Sequence, residues 1–591
     1  MAHGAAVSGP TMVVDQRTVG ATSMDGPPVA PDGSGARPRY AHSPSRRSGK
    51  DRSRTLLLGV VGLVGVVGIT MGAFVNFKMM VFNADTAHSA MLWYGVQHDG
   101  PSFLSTWYYS PDNWILSVLP LHFLAYGLFG VHPWVPMVIG WLTLPGSILL
   151  TGLIALQLGA GRRALWLVAV LAFVGVSGLG LGLLAYPDSH DVTNLYGLGC
   201  VVLSLDFWNY RSDGVRRPAL DLVGLVALLV LGGASDPWMV SAYLVPLLVG
   251  GIFAGALAAG RERKLVHLAH PAAVLAAGVV IATKVFGLLS FVPSFPLHVG
   301  LYPTLWSNVR AYSGAIGSAF NLTKPLGLVA GSPGTQELLN AVVVVLILGL
   351  FLIAAVRLMS RRTPEDLRIR SFACVAVLSV LSVSASTVLT STPLDPLGQR
   401  FYGNVFYLVP CLLVVAIGRM GWSFRRAEVW ICTAAASLFV LGGFWSNTSY
   451  LAAHADGASQ IQVIQQFLES HGLTYGYGAY WGSEANAVTA LSQQRVIVRP
   501  VVFAPGTGSV IFSGRWEESK SWYLPSDVPP GQKQFFLAVI PDPGDCPQVS
   551  VCVDGATRQF GTPVEKIPFQ DGEVLIWNHP LIGWSPRTAA H

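Results

Sequence analysis

At 591 residues, with 52% hydrophobic and only 12% charged side chains, the chain carries about half the charged share of a soluble protein. A mean hydropathy of +0.51 excludes disorder, a coiled coil or a secreted disulfide scaffold, and 64 glycines are too few for collagen. The formal charge of +6 is scattered through short basic clusters between apolar runs, which excludes a nucleic-acid-binding face; a polytopic membrane protein with soluble ends remains.

Residues 1–53 are rich in Gly, Pro, Ser and Arg and read as a disordered cytoplasmic tail. They lack the short apolar core and cleavage site of a signal peptide. The first apolar run, 56–75, follows Arg46, Arg47, Lys50, Arg52 and Arg54, which hold the N-terminus inside. Further runs cover 114–131, 134–156, 164–184, 192–210, 219–233, 238–258, 269–291, 337–356, 371–389, 402–418 and 428–445. Each approaches the ~20 residues that cross a bilayer core. The expected architecture is an all-α polytopic membrane domain, 54–445, with about 11–13 transmembrane helices.

Basic clusters mark alternate loops as cytoplasmic: Arg162/Arg163, Arg211/Arg216/Arg217, Arg261/Arg263/Lys264, the stretch 357–370, and Arg419/Arg425/Arg426. The loops 187–191, 234–237, 292–336 and 390–400 then lie outside, as does the region after the last run. That pattern requires an odd number of crossings between residues 76 and 161, where two runs occur. One of those runs is re-entrant or interfacial, or the outer loop 76–113 hides another crossing.

Residues 446–591 change character. Ile461, Ile464, Phe467 and Leu468 give 459–471 a helical period. A strand at 475–480, a helix at 483–492, and strands at 495–502, 534–540 and 573–577 follow. The alternation predicts an extracytoplasmic α/β domain, large enough for its own core. Cys200, Cys374, Cys411 and Cys432 fall in apolar runs, whereas Cys546 and Cys552 lie in this tail. An outside location makes the latter pair a disulfide and an inside one leaves two thiols; no nearby His/Cys pair completes a zinc site.

The first outer loop begins Phe82-Asn83-Ala84-Asp85-Thr86-Ala87-His88 and continues through Trp93, Tyr94, His98, Asp99, Trp107, Tyr108, Tyr109, Asp112 and Trp114. A carboxylate at the outer end of a span is costly unless solvated or used; deeper in the bilayer it costs about 2.5–3.5 kcal/mol. The alternative is a polar loop with an interfacial aromatic belt. The second outer loop carries Tyr186, Pro187, Asp188, Ser189, His190 and Asp191, which the residues alone read as a polar turn capping the next helix. Outward cations are Arg310 and Lys324, Lys284 (more simply a snorkelling lysine), and Arg400, followed by Phe401 and Tyr402. Arg400 by itself suits anchoring to an anionic lipid. Asp206, Asp221 and Asp236 sit near span ends and read as solvated or capping. His88, His98, His190 and His298 lie in outer loops, but without HxxxH or HExxH spacing that assigns a metal. No Walker loop occurs, and the glycine run 178–182 reads as close helix packing.

One span, an acidic outer loop, many further spans and an outer α/β tail together resemble the GT-C glycosyltransferases. These membrane enzymes take sugar from a polyprenyl phosphate and include protein O-mannosyltransferases and aminoarabinose transferases. Their general base is a carboxylate in the first outer loop, so the resemblance implies that role for Asp85. Asp188, Asp191 and His190 are the implied further catalytic residues. His88, Tyr108, Arg310, Arg400 and Tyr402 are the implied substrate-binding residues. Ser110-Pro111-Asp112-Asn113-Trp114-Ile115-Leu116 stands where the family has a His-Pro-Pro-like element, and Asp85-Thr86 stands for the frequent Asp-Glu. The stretch 472–481, then Ala490-Leu491-Ser492 and Arg495-Val496-Ile497-Val498, is similar to a pattern of bacterial members.

The resemblance implies a glycosyltransferase with a polyprenyl-phosphate-sugar donor and a lipid, glycan or protein acceptor. It would sit among membrane lipids of a bacterial inner (plasma) membrane, with its C-terminal domain periplasmic or extracellular and no nucleic-acid partner. No cofactor is assigned, and some members use a divalent metal ion. Two other classes share the span count. A transporter or lipid flippase would carry mid-membrane charges and internal repeats; a polysaccharide polymerase or ligase would concentrate basic residues in large outer loops.

Overall fold

The structure is a computed structural model that describes residues 62–63, 65–70, 73, 82–110, 112–174, 189–209, 218–258, 261–282, 302–320, 332–360, 367–389, 398–419, 460–512 and 517–582. The runs at 56–75, 164–184 and 269–291 are described only in part, and the run at 428–445 and the boundary near 446 lie outside. Among the described residues, six helical segments are long and apolar enough to cross a membrane: Trp134–Gln157, Pro218–Ser235, Val240–Leu257, Glu337–Met359, Leu367–Val388 and Arg400–Arg419.

In chain order the helices are α1 (His88–Asp99), α2 (Leu119–Phe129), α3 (Trp134–Gln157), α4 (Arg163–Val174), α5 (His190–Trp208), α6 (Pro218–Ser235), α7 (Val245–Leu257), α8 (Arg261–Val280), α9 (Tyr302–Phe320), α10 (Pro333–Met359), α11 (Leu367–Val388) and α12 (Gly403–Arg419). Their core joins Leu198, Val201, Tyr243, Leu247, Phe372 and Tyr407. On α10, Leu338, Val345, Leu346, Ile353 and Val356 remain exposed, as expected of a face that meets lipid tails rather than water.

The run at 114–131 yields only the 11-residue α2. At 1.5 Å per residue this is about 17 Å, well short of a bilayer core of about 30 Å. Trp114 breaks the helix with φ of 56°, its N–H bonded to the Ser235 carbonyl at 3.3 Å. Of the two runs between residues 76 and 161, this is the one that the structure makes too short to cross.

A second difference is α9, inside a stretch read as a loop. Asn308, Tyr312 and Ile316 recur at i, i+4 and i+8, and all three are buried. Asn308 Nδ2 donates to the Val388 carbonyl at 3.1 Å and Tyr312 Oη lies 2.8 Å from Ser384 Oγ. A sparse apolar stripe seated on a neighbouring helix suffices to order a segment whose average polarity resembles a loop.

The C-terminal region contains α13 (Gln460–Ser470), α14 (Ala485–Leu491) and α15 (Val549–Phe560) around a six-stranded sheet. Its strands are β2 (Tyr475–Ala479), β3 (Ile497–Phe503), β4 (Val510–Ile511), β6 (Phe535–Val539), β7 (Glu565–Phe569) and β8 (Gly572–Trp577), in order β4-β3-β2-β6-β8-β7. β2 runs parallel to β3 and β6; the remaining pairs are antiparallel. In β2, Tyr475 and Tyr477 fill one face, whereas a Cβ on Gly476 would sit 2.4 Å from the Phe536 carbonyl. The Tyr-Gly alternation thus buries rings on one side and admits backbone on the other. Cys546 and Cys552 form a disulfide. Strands β7 and β4 and helix α15 are additions to the elements read from sequence.

This sheet does not close its core alone. β1 (Trp107–Tyr108) of the first outer loop pairs antiparallel with β5 (Glu518–Ser519), and Thr106 Oγ1 meets Ser519 Oγ at 2.7 Å. Trp107 packs edge-on to Trp522, ring centroids 5.3 Å apart. Phe82, Met91, Phe103 and Trp114 share one buried cluster with Leu468, Tyr477, Phe536 and Trp577. The outer loop and the tail are one packed body.

Candidate functional site

Two carboxylate clusters arise from this packing. The first forms where the outer loop is stapled to the end of α6. Asn113 Nδ2 donates to the Ala234 carbonyl at 3.0 Å, and Leu116 N donates to Ser235 Oγ at 3.1 Å. These bonds satisfy groups that a helix end leaves without intrahelical partners, and they set Asp112 beside Asp236. Asp236 is 1% exposed, which corrects the reading of a solvated residue. Its Oδ1 accepts from Trp238 N at 2.9 Å, and its Oδ2 accepts from Thr193 Oγ1 and His190 Nδ1, each at 2.6 Å. Three donors on one buried carboxylate is the acceptor-only pattern of that group.

His190 opens α5 and puts Thr193 on the same face one turn on. A carboxylate partner makes Nδ1 the protonated nitrogen and leaves Nε2 the acceptor in the neutral ring. The ring lies among Trp114, Trp238 and Phe401, with centroids 6.3, 5.1 and 4.7 Å away. Burial pushes the Asp112 carboxyl above its usual range; His190 and Arg400 pull it back and Asp236 adds to the rise. Asp112, His190, Asp236 and Arg400 therefore share one electrostatic neighbourhood. Arg400 comes from a 3-10 turn, Gly398–Tyr402, that leads into α12, its guanidinium 5.5 Å from the Phe401 ring.

The second cluster surrounds Asp85. Asn83 and Thr86 exchange hydrogen bonds, Asn83 N to Thr86 Oγ1 at 2.8 Å and Thr86 N to Asn83 Oδ1 at 3.0 Å. The reciprocal pair locks the turn that carries Asp85 into α1. The His88 ring donates from Nδ1 to the Asp85 carbonyl at 2.8 Å, and burial lowers this histidine to about 4, so it is neutral at physiological pH. From the C-terminal region, the Tyr480 hydroxyl donates to Asp85 Oδ1 at 2.8 Å and also meets Glu517 Oε2. Glu484 Oε2 accepts from Ala84 N at 2.7 Å. Glu484 adopts φ of 51°, a left-handed conformation costing about 1–3 kcal/mol in a residue with a Cβ.

Burial pushes Glu484 up to about 8, with Asp85 and Asp542 adding to the rise. The folded chain then holds a proton that the unfolded chain has released between pH 4.5 and 8, so stability falls as pH rises through that window. Thermal midpoints between pH 5 and 8 are expected to fall less steeply in Glu484→Gln than in wild type. Equal slopes would contradict the assignment.

The residues proposed from sequence are distributed unevenly. Asp85 and His88 share one cluster, and His190 and Arg400 the other. Asp191 is buried beside His190, within electrostatic reach of Tyr407. Asp188 lies outside the described residues, as do Lys284, His298 and Lys324. Tyr108 sits in β1, under Lys520 Nζ at 4.7 Å. Arg310 is exposed on α9 over Trp306, 5.8 Å from its ring. Tyr402 is buried edge-on to Tyr312 at 4.9 Å. Asp112, Asp236, Tyr480, Glu484 and Glu517 were not singled out as site residues. Asp236 had one signal, an acid between two apolar runs in Ser235-Asp236-Pro237-Trp238. Among the described residues, no group of three or more His, Cys, Asp or Glu side chains is arranged to hold a metal ion.

No protein-family model matches the chain, and no curated protein matches it significantly. Among solved structures, ArnT from Cupriavidus metallidurans bound to undecaprenyl phosphate is similar at 13% identity and a TM-score of 0.51, covering 89% of this chain and 99% of that one. An oligosaccharyltransferase from Archaeoglobus fulgidus, tethered with an acceptor peptide, is similar at 12% identity and a TM-score of 0.42, covering 73% of this chain and 63% of its own. The ArnT likeness covers most of this chain, and by it this chain has the GT-C fold.

Proposed function

We propose that the chain is a membrane glycosyltransferase that moves a sugar from a polyprenyl-phosphate donor to an acceptor on the outer face of a bacterial inner membrane. The observation that carries this reading is the meeting of Asp112, His190, Asp236 and Arg400, drawn from separate segments, at the ends of helices of a GT-C fold. Undecaprenyl phosphate is bound in the ArnT structure of that fold, which supports a lipid phosphate as the donor's leaving group.

In the reaction, Asp85 takes the proton of the acceptor hydroxyl or amine. The acceptor atom attacks the anomeric carbon as the bond to the phosphate oxygen breaks, with inversion. The bonding electrons leave with the lipid phosphate, whose growing charge Arg400 stabilises. The His190–Asp236 pair, with Nε2 as acceptor, is a second proton acceptor beside Arg400. Asp112 lies in the same electrostatic neighbourhood.

The test uses purified full-length chain with radiolabelled undecaprenyl-phosphate mannose, glucose or arabinose, following sugar release and transfer. Absence of both from every donor, in folded protein that does not bind undecaprenyl phosphate, would remove the reading. Arg400→Ala is expected to weaken undecaprenyl-phosphate binding by about tenfold or more, the worth of one charge-assisted hydrogen bond. Unchanged affinity would place the phosphate elsewhere.

A further inference from the structure

Ala84 stands immediately before Asp85, in the turn that runs into α1. An N–H at a helix start has no carbonyl of its own helix to bond, and Ala84 is fully buried, away from water. Its acceptor comes from 400 positions along the chain, Glu484 Oε2 at 2.7 Å. The reciprocal bonds of Asn83 and Thr86 shape the turn locally. Glu484 adds a tie between that turn and the C-terminal region.

The side chain that makes this tie is itself held from behind. Glu484 closes the link between β2 and α14. Ser483 N donates to the Ala479 carbonyl at 3.2 Å and Ser483 Oγ to the Ala538 carbonyl at 3.2 Å, so the link is fastened to β2 and β6. Glu484 N donates to the Trp481 carbonyl at 3.2 Å, and the Glu484 carbonyl accepts from Val488 N at 2.9 Å. Within this frame Glu484 keeps φ of 51°, a conformation that glycine takes without strain. A residue with a Cβ held there points to a use for its side chain, and the Ala84 amide is what that side chain reaches.

We propose that Glu484 is a positioning residue for Asp85: its carboxyl oxygen grips the amide one residue before the base and fixes where the Asp85 carboxylate lies. The C-terminal region thereby takes part in the catalytic centre instead of only covering it. This rests on the proposed transfer, with Asp85 as its base. The acceptor's proton goes to Asp85, and Glu484 exchanges none with the substrate.

The test follows full-length chain in phosphatidylethanolamine–phosphatidylglycerol nanodiscs at pH 7 by two readouts. One is hydrogen–deuterium exchange of the segment 83–92; the other is sugar transfer from the radiolabelled undecaprenyl-phosphate donors. Glu484→Gly removes the carboxyl and relieves the strained backbone. A Glu484 that only supported the fold would let this variant, once folded, keep its turnover. Positioning predicts that exchange of 83–92 quickens about tenfold and that turnover falls about tenfold or more with donor KM unchanged, because small misplacements at a reacting centre carry large rate costs. Burial raises the Glu484 carboxyl to about 8, with Asp85 and Asp542 adding to the rise, so it is neutral at pH 7 and glutamine mimics it. Glu484→Gln, whose amide oxygen still accepts, is expected to bring both readouts back to within about threefold of wild type. Glu484→Asn also tolerates this φ but is one methylene shorter, and it decides the matter if the glycine variant does not fold. Unquickened exchange in the folded glycine or asparagine variant overturns the proposal, as does quickened exchange with wild-type turnover. In that second case, loss of transfer in Asp85→Asn leaves the glycosyltransferase reading standing. Quickened exchange in a chain whose wild type transfers sugar from no donor keeps the tie and sinks that reading instead.

Discussion

Asp85→Asn is expected to lower sugar transfer by about 10²–10⁴-fold, the usual contribution of a general base, with folding and undecaprenyl-phosphate binding retained. The substitution keeps size and shape. Its carbonyl oxygen still accepts from Tyr480, and the backbone bonds of the turn 83–88 are untouched. What disappears is the ability to take a proton from the acceptor. The loss should therefore fall on turnover rather than on donor KM. Transfer within a few-fold of wild type would pass the role to the His190–Asp236 pair. His190→Gln would then lose what Asp85→Asn had kept.

Asp236→Ala is expected to cost about 3–5 kcal/mol of stability, the scale of breaking one partner out of a buried charge network. The carboxylate serves His190 Nδ1, Thr193 Oγ1 and Trp238 N, all in a water-poor setting. Removing it strands three donors at once and opens space beneath the His190 ring. The thermal midpoint should fall by several degrees. Asp236→Asn should fall less, because an amide oxygen still accepts while its NH2 opposes the Nδ1 proton. If Asp236→Ala unfolds at the wild-type temperature, the network contributes little and His190 is held by its aromatic neighbours instead.

The fold was legible in sequence wherever a local pattern had one physical outcome. Apolar runs of span length became helices from Trp134–Gln157 to Gly403–Arg419 because hydrocarbon leaves the backbone no other way to satisfy its hydrogen bonds. In the tail, α13, β2, α14, β3, β6 and β8 appear within a few residues of their predicted places. Hydrophobic period and short turns are sufficient there. The pattern failed for α9, whose buried stripe of Asn308, Tyr312 and Ile316 is too sparse to separate from a loop, and for α2, where backbone conformation at Trp114 shortened an apolar run.

The sequence by itself determined the membrane class, the alternation of basic loops, the sheet-forming tail and the position of Asp85 just beyond the first apolar run. Only the tertiary structure decided which distant groups meet. Tyr480 lies 395 positions from Asp85, and Asp236 lies 46 from His190. No hydrophobic period encodes such pairs, because a polar contact follows from where packed elements end, not from the residues flanking it. The same reason hid the shared core of loop and tail: Trp107 reads as an interfacial aromatic until β1 and β5 bring it edge to face with Trp522.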